Sequence, residues 1–513
     1  MSTLLSLAAE TGHDQLWLLL AAQRMGPNLN PYNATVFESN PPLAIWLSAI
    51  VVAAAHMLHL SLTVAFKLGV TLIAGASAAV CSKLVRMLHP EGTRHQLWLL
   101  GVGYIVLFGA VPVRDFGQRD HILALLVLPY LIAAALDLSG RRLALIARIA
   151  LTLAAAVGLA LKPQQALIAL FVELTLLIAP KLRGRGLNRI AFGIRAGAQV
   201  RVLEPAIFCI SAVAYFASIH LLAPSYLSDM LPVLRDTYWA FGHLNMVELG
   251  LSAVGLWVLL AIDIVLWLVR RPKSPLILLL LVAGIGATLG YLAQRTGWYY
   301  QQLPAISFLA LALIFQLTVD PGGPWPASGR WVRRLPITLA AVTLLAFALT
   351  IHFSDFHLTQ SGIEERQTTP DPTFFANLAP GTAVATLTTS VDDTVPPAFR
   401  YHLTLGQRYP HLWMLPAILR NESGPVPGHA IPLAQLAHLD LLQHQFMVED
   451  LNRWHPRLIL VARCQDPAVL CQVLEDRHDD LLAWFLRDPA FASIFSKYHF
   501  LRSSGSYDAY VLN

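Results

Sequence analysis

Charge is what this sequence has least of. Only 13% of its 513 residues are Asp, Glu, Lys or Arg, where a soluble globular protein carries roughly 25%. Half the usual solvating charge is missing, which excludes a chain that keeps its whole surface in water. Cysteine is scarce too, with four in all. No repeat period of the kind that builds solenoids is present, and the start shows no signal-peptide cleavage pattern.

What is there instead is apolar. The chain is 56% hydrophobic, with a mean hydropathy of +0.56. Apolar runs of about 17–23 residues recur from residue 64 to residue 352, the length a helix needs to cross a bilayer core of about 30 Å. The runs predict ten spans, at 64–85, 96–112, 121–137, 145–161, 164–180, 203–222, 248–269, 275–293, 301–319 and 335–352. The expected fold class is a polytopic α-helical membrane protein. Cys81 and Cys209 fall inside these runs and read as packing residues.

Alternate connections between the spans differ in positive charge. One set carries Lys83, Arg86, Arg94, Arg141, Arg142, Arg148, Lys181, Arg183, Arg185, Arg189, Arg195, Arg201, Arg270, Arg271, Lys273, Arg330, Arg333 and Arg334. The other carries only Arg24, Arg114, Arg119, Lys162, Arg235 and Arg295. Positive charge marks the cytoplasmic side, so the second set faces outward. The net charge of +5 then reflects topology and excludes nucleic-acid binding as its cause. A bacterial inner membrane, with the second set on the periplasmic side, is the expected location.

That orientation leaves an oddity at the start. Everything before residue 64 must lie outside, yet "MSTLLSLAA" is too short to span. Either the chain inserts with an outer N-terminus, or a first helix has been lost or left out by the choice of start; the second is favoured. The stretch "PLAIWLSAIVVAAAHMLHL" (residues 42–60) resembles a span, but counting it would reverse every later loop. It reads as a helix lying along or dipping into the outer interface. Residues 1–60 are therefore expected to form an outer first loop, and 61–352 the helical core.

After residue 353 charges, prolines and histidines return. "GTAVATLTT", "PRLILVAR" and "GSYDAYVLN" read as strands and "DLLAWFLRDPAFASIF" as a helix, an α/β domain over 353–513 on the outer side. Cys464 and Cys471 lie in this oxidising compartment, where a disulfide and two free buried thiols are both compatible with their spacing.

Outer-facing polar groups gather at four places. The first holds His13, Asp14, Arg24 and Glu38. In the second, "VPVRDFGQRDHILALL", Arg114, Asp115, Arg119, Asp120 and His121 crowd between two apolar runs. The third is "LALKPQQAL", with Lys162, and the fourth "LAQRTGWYYQQLPA", with Arg295, Trp298, Tyr299 and Tyr300. Charges near bilayer depth are costly and mark function, and carboxylates beside cations suit an anionic substrate at the interface. Each place also has a structural reading. Arg114 and Arg119 can anchor span ends by snorkelling, Asp120 can be a helix cap, and "GWYY" can be an interfacial aromatic belt. Glu173 and Asp263, inside spans, read as helix–helix contacts or cytoplasmic-end polar groups rather than catalysts.

Asp14, an amphipathic helix after it and "FESNPPLAIW" before the next span together resemble the first external loop of the GT-C glycosyltransferases, the polytopic enzymes that use polyprenyl-phosphate sugars. The likeness is to the branch holding protein O-mannosyltransferases and the lipid A aminoarabinose transferase. "DFGQRDHILALLVLPYL" is similar to the place where that family carries a second acidic residue, and "LKPQ" and "GWYYQQLP" to its later outer-loop motifs. The likeness covers about residues 10–320. In the family a first helix delivers the acidic residue to the outer face; here that helix is reduced to "MSTLLSLAAETGH".

The resemblance implies a polyprenyl-phosphate-linked sugar donor among membrane lipid and a glycan, lipid or protein acceptor. Asp14 would be the base, giving inversion by single displacement, with Asp120 and Glu38 the further candidate catalytic carboxylates. Lys162 and Arg295, then Arg119 and His121, would stabilise the leaving phosphate. Glu38, Asp115 and Asp120 would orient the substrates or hold a divalent cation, Mg²⁺ or Mn²⁺; the family divides on metal use, and no metal ligand is assigned. Trp298 and Tyr299 offer stacking faces. The competing classes are a transporter or flippase for a lipid-linked or anionic solute, and a scaffold that keeps the fold without activity. A transporter predicts inverted repeats and broken mid-bilayer helices, neither of which the sequence displays.

Overall fold

The computed structural model describes residues 9–25, 29–90, 92, 94–184, 202–241, 244–270, 272, 274–318 and 370–513. The chain divides into two compact units. One is built from residues 1–11, 57–217 and 244–353, the other from 12–56, 218–243 and 354–513. The described helices are, in chain order, α1 (His13–Met25), α2 (Leu43–Leu58), α3 (Leu62–Leu88), α4 (Arg94–Gly109), α5 (Arg119–Leu138), α6 (Leu145–Leu161), α7 (Leu167–Gly184), α8 (Leu203–Leu222) and α9 (Leu231–Thr237). They continue with α10 (Met246–Leu251), α11 (Val254–Arg270), α12 (Pro275–Gln294), α13 (Leu303–Thr318), α14 (Val395–Arg400), α15 (Leu415–Glu422), α16 (Leu433–Trp454), α17 (Leu481–Phe485) and α18 (Pro489–Phe495).

The first unit is a helix bundle. Five helical segments in the described residues are long and apolar enough to cross a membrane: 62–88, 119–138, 203–222, 275–294 and 299–318. Their burial separates inner from outer helices. The 299–318 segment is 94% buried and α5 83%, whereas α3 is 22% and α8 only 11% buried. The open face of α8 carries Ile210, Val213 and Phe216, each more than 60% exposed. Such surface is stable only against hydrocarbon. The protein is membrane-embedded.

Around α5 pack α3 and α6, and α12 packs on α7 and α13. Small residues permit the closest approaches: a Cβ on Gly286 of α12 would lie 2.9 Å from the backbone of α7 at Ile168. Glu173 accepts a hydrogen bond from Tyr130, and Asp263 from Gln316 at 2.8 Å. Both are contacts between helices, as expected. Arg148 and Glu204 pair at 2.7 Å in the same way.

Three expected spans have a different local form. The 248–269 run is two helices: α10, started by the capping box of Asn245 and Glu248, ends at Ser252 before α11 begins. The 164–180 and 301–319 runs each open with a 3₁₀ turn, Pro163–Ala166 and Tyr299–Gln302. The expected span 335–352 and the start 1–8 lie outside the described residues.

The second unit joins distant pieces of chain around a five-stranded sheet. Its strands are β1 (Ala383–Leu387), β2 (Thr404–Leu405), β3 (Leu458–Ala462), β4 (Tyr498–Ser504) and β5 (Tyr507–Leu512), in the order β2-β1-β3-β5-β4. β1 pairs in parallel with β2 and β3, and β3–β5 and β5–β4 are antiparallel. β3 is buried along its whole length, as a central strand covered on both faces must be. The three expected strands are present. The expected helix in "DLLAWFLRDPAFASIF" is two, α17 and α18, because Pro489 cannot continue α17 and Asp488 caps the next helix by accepting from the Phe491 amide at 2.8 Å. Cys464 and Cys471 are joined by a disulfide, with Cα atoms 5.5 Å apart.

Gly117 locks the turn before α5. Its φ is +84°, and a Cβ there would lie 2.5 Å from the Phe66 ring and 2.7 Å from Val70 on α3. Gly117→Ala is expected to cost about 1–3 kcal/mol from backbone strain, with overpacking added. Thermal unfolding in detergent should show a clear drop in midpoint. Gly75→Ala, where nothing lies within 4 Å, should leave the midpoint unchanged or raise it.

Candidate functional site

In the helix unit the charged groups converge where three chain segments turn. Pro163 disfavours helical geometry for the residue before it, so α6 stops at Lys162, whose backbone is not helical (φ −141°, ψ 82°). Gln118 caps α5, which puts Asp120 in its first turn. Acid at a helix N-terminus and base at a helix C-terminus both complement the dipoles. The Lys162 ammonium lies 3.3 Å from a carboxylate oxygen of Asp120. Asp120 is fully buried and Lys162 is 6% exposed. The ammonium also stands 5.1 Å above the Tyr300 ring and 3.5 Å from the Gln294 side-chain oxygen. Neither oxygen of Asp120 accepts a hydrogen bond, and neither polar atom of the buried Gln165 has a hydrogen-bond partner. Gln165 packs against Gly290, where a Cβ would meet it at 2.5 Å.

The other predicted residues of this unit take different places. His121 is buried, with Nδ1 accepting from the Gly117 amide and Nε2 donating to the Phe108 carbonyl, each at 3.0 Å. Both nitrogens thus hold the turn. Arg119 is buried, Asp115 half-buried and Arg114 exposed. Arg295 is exposed and ends α12 in the left-handed conformation, φ 55°. Tyr299 donates to the Val111 carbonyl at 3.5 Å, and Trp298 packs on Tyr300, ring centres 5.8 Å apart. It is Tyr300, not Trp298 or Tyr299, that faces Lys162.

The second unit holds Asp14 and Glu38. Glu38 is buried with both oxygens engaged. One accepts from Trp17, the other from the Asn40 amide at 2.7 Å, the Ser39 hydroxyl at 3.2 Å and the Asn40 side chain. It shapes the "FESNPP" turn. Its negative charge, after burial, also helps push the Tyr226 phenol up to about 12. Arg24 donates to the carbonyls of Gln407, at 2.6 Å, and Leu405. Burial pulls its guanidinium down to about 10, against the pull of Asp450.

Asp14, in the first turn of α1, lies in a small cluster. His13 Nε2 is 3.4 Å from an Asp14 oxygen, and His13 Nδ1 is 2.8 Å from Asp392. The three side chains are about a quarter exposed. His411 completes the group: its Nδ1 is buried without a hydrogen-bond partner. Burial first and then His13 push the His411 imidazole down to about 3, against Asp14 and Asp392. Asp392 and His411 carried no signal in the sequence, since only the fold brings them to residues 13–14. Tyr300 and Gln165 sit in motifs already noted, and the i, i+3 spacing from Lys162 to Gln165 was the signal available.

No group of three or more His, Cys, Asp or Glu able to hold a metal ion occurs among the described residues. Glu38 has its oxygens filled by the protein, and Asp120 faces an ammonium. Neither of these two carboxylates is placed to hold a divalent cation.

No protein-family model matches the chain, and no curated protein matches it. Among solved structures it is similar to ArnT from Cupriavidus metallidurans, in a crystal structure of that protein bound to undecaprenyl phosphate. The identity is 13%, the match covers 98% of this chain and 94% of that one, and the TM-score is 0.44.

Two predictions follow from the geometry of the clusters. Removing one partner of a buried pair strands the other's charge, so Lys162→Met or Asp120→Asn alone should destabilise by about 3–5 kcal/mol, and the double variant by less than their sum. Chemical unfolding of the four proteins measures the coupling. His411 titrates lower in the folded protein than in the unfolded chain, where imidazole sits near 6.5. Its contribution to stability is therefore complete above about pH 6.5 and is lost as pH falls toward about 3. Stability should fall by about 2 kcal/mol between pH 7 and pH 5 from this group. His411→Phe should flatten that part of the curve.

Proposed function

We propose that this chain is an integral-membrane glycosyltransferase that moves a sugar from a polyprenyl-phosphate donor to an acceptor hydroxyl, with inversion, on the outer face of a bacterial inner membrane. The observation that carries the reading is the buried Lys162, an ammonium kept inside an apolar helix bundle beside Asp120 and the Tyr300 ring. Ionised groups in such a place are expensive and mark a site for charged chemistry. The order of the short outer motifs, which resembles that of the GT-C enzymes, supplies the kind of chemistry.

In this reading the bond between the anomeric carbon and the phosphate oxygen breaks through an oxocarbenium-like state. The electron pair leaves with polyprenyl phosphate, and Lys162 stabilises the charge that gathers there. Arg295 and Arg119 are the further cations for that phosphate. Asp120 orients Lys162, while His121 and Asp115 shape the turn that carries Asp120. The acceptor oxygen bonds to the anomeric carbon and its proton passes to Asp14, whose partial exposure lets an acceptor reach it. Glu38 fixes the loop that follows Asp14's helix. Trp298 and Tyr299 are the stacking faces for sugar or lipid.

The test is transfer from a panel of radiolabelled polyprenyl-phosphate sugars by membranes carrying the chain, Asp14→Asn or Lys162→Met. The expected result is transfer by the unaltered chain. Asp14→Asn should slow it by about 10²–10⁴-fold, and Lys162→Met by about 10²–10³-fold. Absence of transfer from every donor, with the protein folded and present in the membrane, overturns the reading. Uptake of lipid-linked solute by the same membranes would replace it with a transporter.

A further inference from the structure

The group around Asp14 contains more than one base requires. Asp392 comes from the loop after β1, nearly four hundred residues from His13, yet its carboxylate sits 2.8 Å from His13 Nδ1. A carboxylate only accepts, so Nδ1 carries the hydrogen and donates it. That hydrogen bond sets the tautomer: whenever the ring is neutral its lone pair is on Nε2, 3.4 Å from Asp14, where it can take the proton that Asp14 holds after transfer. The order carboxylate, imidazole, reacting group is the one by which an aspartate orients a histidine in nucleophilic enzymes. Here the third member is itself a carboxylate.

We propose that Asp392 and His13 are positioning residues that return Asp14 to its basic form after each transfer. This rests on Asp14 being the base for the acceptor hydroxyl. The step balances. The acceptor O–H proton goes to Asp14 as the new bond to the anomeric carbon forms and polyprenyl phosphate departs with the electron pair of the broken one. Asp14 then gives the proton to His13 Nε2, and Asp392 stabilises the imidazolium while Nδ1 keeps its hydrogen. His13, 28% exposed, releases the proton from Nε2 to water. The C-terminal domain thereby contributes Asp392 to the chemistry of the first loop. His411, the other imidazole of the cluster, is held neutral by burial and does not compete for the two carboxylates. Its buried Nδ1, without a partner in the protein, marks the same place as one where a polar ligand is met.

The experiment measures kcat and acceptor KM for the full chain in membranes, with Asp392→Asn, Asp392→Glu, His13→Gln, Asp14→Asn and the double variant Asp14→Asn/Asp392→Asn. Asparagine no longer holds the tautomer, so Asp392→Asn should lower kcat at least tenfold with acceptor KM within about threefold of its starting value, because binding is left intact. Asp392→Glu should recover part of the rate. The double variant should be no slower than Asp14→Asn alone, since Asp392 acts only through Asp14. A purely structural Asp392 would instead multiply the two losses. His13→Gln should repeat the Asp392→Asn result and serves if that variant does not fold. A kcat for both single variants within twofold of the unaltered chain, or a double variant slower than Asp14→Asn by the full Asp392→Asn factor, overturns the inference alone. No transfer by the unaltered chain overturns the glycosyltransferase reading, and this inference with it.

Discussion

An ion inside a bundle of apolar helices must be neutralised where it stands, and this constraint organises the membrane unit. Water is not available to solvate it, and desolvation costs several kcal/mol per ion even after relaxation. Four acidic groups in the unit's described helices accordingly meet partners on other elements: Asp120 with Lys162, Glu204 with Arg148, Glu173 with Tyr130 and Asp263 with Gln316. The last three tie helices to one another. The first differs because Lys162 sits at a helix end, beside the Tyr300 ring and the Gln294 side chain.

The second unit solves a different problem. Its sheet is small, and the unit is completed by chain from the other end of the sequence. Arg24 donates into the carbonyls at and after β2, and the Phe37 amide donates to Arg408, whose guanidinium meets Asp450 at 2.8 Å. Phe37 packs against Trp413 and Phe446. Residues 12–56 are therefore not a free loop but part of the folded body that includes the C-terminal strands. This shared framework is what brings Asp392 to His13.

Much of this was legible from local pattern. Apolar run length reports helices in hydrocarbon, and alternating or continuous apolar runs report strands, because each depends on near neighbours in sequence. The helix runs and the strands at 383–387, 458–462 and 507–512 were readable on that ground. The interruption at Ser252 was not, since it falls inside a run that hydropathy treats as uniform. The strand 498–504 is not legible either: after Tyr498 its next five residues are exposed, so it has no apolar alternation to read. Lys162 stood out because a cation on the side with few positive charges is anomalous, and the Pro163 beside it explains why the helix stops there.

Composition and periodicity by themselves determined that this is a membrane-embedded helical protein with an appended α/β region, and which short motifs carry its charge. Those properties follow from the length of apolar runs and the chemistry of adjacent residues. Only the tertiary structure decided that Lys162 faces Asp120 and Tyr300, that His121 spends both nitrogens on its own turn, and that Glu38 is saturated by Trp17 and Asn40. It alone brought Asp392 and His411 to Asp14. Each of these depends on contacts between segments far apart in the chain, and a side chain's partner across such a distance is set by packing, which no local spacing encodes.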